Sequence, residues 1–181
     1  MIASPFGKGR MRGISGAAWV GKIRNGGGGK EDYMESEIVN YANEISPIMR
    51  KLLEDSYSYN LAIQNLGFQP PGEKPMESMV RLGQLGVNFA ESIKRIKESR
   101  KQIMKIVPPA DAKSHHAKLV LSTKKKEQAL GEFVTYIYQL LKSGVGDSSF
   151  LQQGNDLLSE NSRLLLEANS ELTKLYKEVG K

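Results

Sequence analysis

The chain has 181 residues, 39% of them hydrophobic and 25% charged, which is the range of one soluble domain able to bury a sizeable core. It contains no cysteine, so disulfides, thiolate zinc sites, iron–sulfur clusters, thioether-attached haem and cysteine nucleophiles are excluded together. The net charge of +6 is local: residues 1–30 hold Lys8, Arg10, Arg12, Lys22, Arg24 and Lys30 with no acid, and the bases and acids of the remainder cancel.

Residues 1–33 form the first unit, a Gly-rich basic tail that carries half of the 18 glycines within its first thirty positions. Such a segment holds too little apolar surface to offset its own ordering entropy. Two readings follow. In one, the tail is a basic arm that orders on phosphates or on a partner, with Lys8, Arg10, Arg12, Lys22 and Arg24 as nucleic-acid contacts. In the other, Lys30-Glu31-Asp32-Tyr33-Met34 back-translates through AAGGAGG, a bacterial ribosome-binding sequence placed shortly before the Met34 codon. The tail is then untranslated leader, and the native start is Met34.

Residues 34–181 divide into four helical segments separated by Pro or Gly punctuation. The first runs from about Glu35 to Leu66, with Ile38, Tyr41, Ile45, Ile48, Leu52, Tyr59, Ile63 and Leu66 on one face. Ser46-Pro47 fits an N-cap and first helical position, so a kink or break is expected there. The second runs from Met76 to about Val107 and sets Leu82, Phe89, Ile96 and Ile103 seven apart, beside Gly86, Ile93, Arg100 and Val107. The third, from near Asp111 to about Ser143, presents Leu119, Thr123, Leu130, Val134, Ile137 and Leu141, and its Lys124-Lys125-Lys126 run reads as a solvated face. In the fourth, Leu151, Gly154, Leu158, Asn161, Leu165, Ala168, Leu172, Leu175 and Val179 alternate steps of three and four, with a second apolar row of Phe150, Leu157 and Leu164.

Four amphipathic helices with short connections and no strand signal predict an all-α fold, an up-down-up-down antiparallel four-helix bundle. Arg100 and Asn161 are polar residues at seam positions, and a buried asparagine fixes helix register at some cost in stability. No stretch approaches the roughly 20 apolar residues that span a bilayer, and no signal-peptide core stands out, so a soluble, cytoplasmic protein is expected.

A bundle of this length is a frame for a carboxylate-bridged di-metal centre, but that centre needs Glu-x-x-His pairs. The residues three before the only histidines, His115 and His116, are Ala112 and Lys113. No cofactor or metal is expected. Adjacent helical residues point about 100° apart, so the two histidines do not readily chelate one ion. His116, one turn before Leu119 and Val120, is placed on or beside the seam. Both histidines are candidates for a ligand or bundle-end site formed with Tyr or Glu from another helix.

The stretch from Ile106 to Gly144 contains Pro108-Pro109, His115 or His116 near the next helix start and an aromatic, Phe133 or Tyr136, further along, and Gly146-Asp147 follows it before a leucine-rich last helix. In these features the C-terminal half resembles small bacterial helical-bundle proteins that carry no established activity. The expectation is a non-enzymatic protein that binds a protein partner or itself through a stripe of the first or fourth helix. A nucleic-acid or anionic-surface binder acting through the tail is the alternative, and a small-molecule or metal carrier at the His116 end is a third.

Overall fold

The structure, a computed structural model, describes residues 30–64, 66, 72 and 74–179. Every described element is helical: α1 (Lys30–Gln64), α2 (Pro75–Lys105), a 3-10 turn (Ala110–Ala112), α3 (Lys113–Ser143) and α4 (Ser148–Val179). Among the described residues no helix is long and apolar enough to cross a membrane. The basic tail and its five candidate contacts, Lys8, Arg10, Arg12, Lys22 and Arg24, lie outside the described residues, and α1 runs across Met34 as far back as Lys30.

Pro47 does not break α1. It stands inside one continuous helix, where the amide it lacks would have bonded the carbonyl of Asn43. Pro47 is exposed, so that carbonyl lies on the side of the helix open to water. Ser46 takes no capping position; its hydroxyl donates to the carbonyl of Ala42 at 2.6 Å.

Helix ends follow local chemistry. Pro75 opens α2 at its first position, and the backbone N–H of Lys74 donates to the Glu77 carboxylate at 3.3 Å. Pro108 disfavours helical backbone at the residue before it, so α2 stops at Lys105 and Val107 is 87% exposed rather than in the seam. Gly144 ends α3 in the left-handed conformation, φ 72°, with its N–H on the carbonyl of Leu140. The Asp147 side chain then accepts from the N–H of Ser149 at 2.9 Å, starting α4 and holding that carboxyl below its usual range.

The core is centred on α3. Phe133 is fully buried between Phe89 of α2, centroids 5.9 Å apart, and Gly154 of α4, where an added Cβ would come within 2.6 Å of the ring. Leu119, Leu130 and Ile137 of α3 and Phe89, Ile96 and Ile103 of α2 are buried as their spacing predicts. Each large side chain so buried contributes about 1.5–3 kcal/mol. In α4 the most deeply placed row is Gly154, Asn161 and Ala168, seven apart. Small residues there let the helices approach closely, and the flanking leucines are displaced accordingly: Leu164 is buried and Leu165 only partly. The second apolar row, Phe150, Leu157 and Leu164, which could deepen the core or meet a partner, is partly or wholly inside.

The inter-helix pairings have consistent directions. Arg100–Glu127 and Phe89–Phe133 run oppositely along α2 and α3. Lys118–Glu171, Ser122–Asn161 and Lys125–Glu160 do the same for α3 and α4. Tyr41–His115 and Leu52–Lys126 run in the same direction along α1 and α3.

Candidate functional site

The beginning of α3 and the first half of α1 meet in a polar cluster. The Tyr41 hydroxyl lies 2.7 Å from Nδ1 of His115 and 3.4 Å from Nδ1 of His116. It is therefore His115, fully buried, that occupies the seam, and His116 is the half-buried neighbour. Both rings nevertheless turn toward one oxygen. Burial raises the Tyr41 pKa, so the phenol keeps its proton and shares a hydrogen bond with the nearer nitrogen. The other ring nitrogen of His115, Nε2, is buried without a hydrogen-bond partner among the described residues.

Glu171 of α4 closes the other side. One carboxylate oxygen receives Ser114 Oγ at 3.2 Å and Lys118 Nζ at 2.5 Å, and the other is buried without a partner. Burial lowers the His115 pKa to about 4; the Glu171 charge opposes that shift and His116 adds to it. Burial lowers His116 as well. At neutral pH the cluster is a protonated phenol, two neutral imidazoles and a carboxylate neutralised by Lys118. No three His, Asp or Glu side chains among the described residues are grouped to hold a metal ion.

A second buried polar site lies three turns further along α3. Lys126, read from its triplet as solvated, is 1% exposed. Its ammonium donates to the carbonyl of Leu52 at 2.8 Å and to Ser56 Oγ, and lies 4.9 Å from the centre of the Tyr59 ring. Tyr59 in turn donates to Ser56 Oγ at 2.8 Å. Burial lowers the Lys126 pKa to about 8, while the Asp55 charge acts in the opposite direction. An amine poised near neutrality beside a serine hydroxyl has the ingredients of a nucleophile and base, but its donors are taken up by α1 itself.

Between α2 and α3, on the outside, runs an open groove. One part, about 550 Å³, is lined by Met104, Val120 and Leu121 together with Arg100, His116 and Lys124. A second depression of about 560 Å³ is lined by Ile93 and Lys97 of α2, Glu127, Gly131 and Glu132 of α3 and Leu157 of α4. The flanking segment Lys94–Lys126 carries eleven bases and two acids, a net +9, balanced by −9 over the rest of residues 31–181. A neutral total conceals this separation; only a windowed count of charge reveals it. Many of these bases are paired, Arg95 with Asp55, Arg100 with Glu127, Lys118 with Glu171 and Lys125 with Glu160.

Large apolar side chains also stand on the outer face of α2. Met76, Met79, Val80 and Val87 are 48–71% exposed and follow helical spacing along one stripe. The chain matches no family model, no curated protein and no solved structure, so its function has to be argued from geometry.

Proposed function

We propose that the chain is a non-enzymatic binding protein that associates with another protein or with itself, built on an up-down-up-down antiparallel four-helix bundle. The directions of the α2–α3, α3–α4 and α1–α3 pairings support that topology. The observation that carries the binding reading is the Met76, Met79, Val80 and Val87 row. Four large apolar side chains on one helical stripe are the form in which a helix presents itself to a partner. The interior polar groups favour the same reading, because Tyr41, His115, Lys126, Ser122 and Asn161 bond to one another or to backbone rather than into the open grooves.

The test compares the native chain with Met79→Glu and Val80→Glu, both at exposed positions. Sedimentation velocity reports self-association, and pull-down from cells expressing the chain reports a partner. Association by the native chain that both variants lose is expected. A native chain that stays monomeric and recovers nothing, or variants that associate as the native chain does, would overturn the proposal.

A further inference from the structure

The α2/α3 groove is separate from the Met76–Val87 row and has its own chemistry. Along α2 it is lined by Arg100 and Met104, and along α3 by Ala117, Val120, Leu121 and Lys124, spaced one, three and four apart. The span from Ala117 to Lys124 corresponds to about 10 Å, or roughly two helical turns. Its apolar lining is accessible, with Met104 64% and Leu121 41% exposed. The surrounding charge is positive in excess of what the fold neutralises. Lys94, Lys105, Lys113 and Lys124 have no ionic partner among the described residues, and Lys124 stands directly at the groove edge.

We infer that this groove is the docking site for an acidic amphipathic helix of a partner protein, which lays apolar side chains over Met104, Val120 and Leu121 and a carboxylate against Lys124. Groove length fixes the shape of the occupant, a straight helical element that seats about two turns. Charge fixes its sign: the chain's own tail, with six bases and no acid in residues 1–30, is repelled. A nucleic-acid backbone would match the charge but leave the apolar floor without complementary contact. The inference rests on the binding reading proposed above and names its partner class.

The experiment titrates the full isotope-labelled chain with a synthetic amphipathic peptide about 16 residues long, with leucines three and four apart and glutamates beside them. The controls are the same peptide with lysine for glutamate, phosphatidylglycerol vesicles and a duplex DNA. The expected result is chemical-shift change at Met104, Val120 and Leu121 with the acidic peptide, weakened about tenfold or more by Lys124→Glu and by Leu121→Glu. Circular dichroism of both variants should be native, since both positions are exposed. Equal binding of the lysine peptide, shifts away from the groove, indifference to the two variants, or tighter engagement of vesicles or DNA by the same residues would each overturn the inference. If the acidic peptide fails while Val80→Glu abolishes association, the groove assignment falls and the broader reading stands. If the peptide binds while Val80→Glu changes nothing, the row is wrong and the groove stands.

Discussion

α3 meets its neighbours by two different kinds of chemistry. Toward α2 and α4 its buried contacts are mainly apolar and close: Phe133 between Phe89 and Gly154, Leu119 and Leu130 buried, and a buried polar pair in Ser122 and Asn161 at 2.7 Å, with ion pairs such as Lys118–Glu171 and Lys125–Glu160 at the partly exposed rim. Toward α1 it extends two polar residues, His115 to the Tyr41 hydroxyl and Lys126 to the Leu52 carbonyl. Apolar contact stabilises largely independently of pH, but buried titratable contact makes docking depend on protonation and on one register. The comparison teaches that α2, α3 and α4 supply most of the cohesion, whereas α1 adds a buried apolar face of Ile38, Ile45 and Leu52 and reaches α3 itself through specific and titratable anchors.

The largest loss should come from emptying the apolar side. Phe133→Ala removes a fully buried ring that touches two helices, and denaturant unfolding should show a loss of about 3–5 kcal/mol. A loss under about 1 kcal/mol would mean that Phe89 and the Gly154 backbone do not enclose the ring as described.

The polar side should give itself away in acid. His115 has a folded pKa of about 4 against an ordinary value of 6.5. Between those values the unfolded chain binds more protons than the native one, so stability is fully present above pH 6.5 and is lost as pH falls toward 4. The loss is about 3 kcal/mol from this group. The His115→Gln variant lacks this titration, so the native-minus-variant stability difference should fall across that window. Hydrogen exchange should then show α1 amides opening first. A difference that stays flat from pH 7 to 4 would place His115 in contact with water.

How much of this was legible in the sequence depends on side-chain type. Apolar periodicity located the helices and the buried rows of α2 and α3, because a residue such as Ile96 or Leu130 has one stable place. It failed where identity and position disagree. The buried row of α3 includes His115, Leu119, Ser122, Lys126, Ala129 and Phe133, an unbroken alternation of steps of four and three. Extending the register from Leu119 in both directions reaches His115 and Lys126, but a lysine triplet reads as a solvated face and the histidine spacing favours His116 for the seam, so the expected row, which rightly includes the buried Thr123, passes over both. In α4 the eye follows leucines, whereas the closest approach needed Gly154 and Ala168. The groove escaped for a third reason: its positive charge cancels in the total, and only the pairing of α2 with α3 gathers it on one face.

A smaller effect should separate shape from polarity on the apolar side. In Gly154→Ala the new methyl would lie 2.6–3.1 Å from ring carbons of Phe133. The ring is enclosed by α2, so one helix must yield, at about 1–3 kcal/mol by thermal or denaturant unfolding. Pairing Gly154→Ala with Phe133→Leu should recover part of that loss, because the smaller side chain vacates the ring position. Two losses that simply add would show that the strain lies elsewhere in α4.

The smallest change at neutral pH is expected at Lys126, although it is among the largest fully buried side chains. A charged amine in the interior carries a desolvation cost, and its bonds to Leu52 and Ser56 and its place over the Tyr59 ring offset that cost. Lys126→Met keeps the stem and removes both the cost and the compensation, so stability near pH 7 should change by less than about 1 kcal/mol. The difference appears in alkali. With a folded pKa of about 8 against 10.5, the native chain binds fewer protons than the unfolded chain in that interval. Native stability measured relative to Lys126→Met should therefore rise as pH passes from 8 to 10.5, by about 3 kcal/mol when complete. A variant that tracks the native chain throughout would mean that Lys126 is solvated, and α1 would then be anchored to α3 at the Tyr41 end alone.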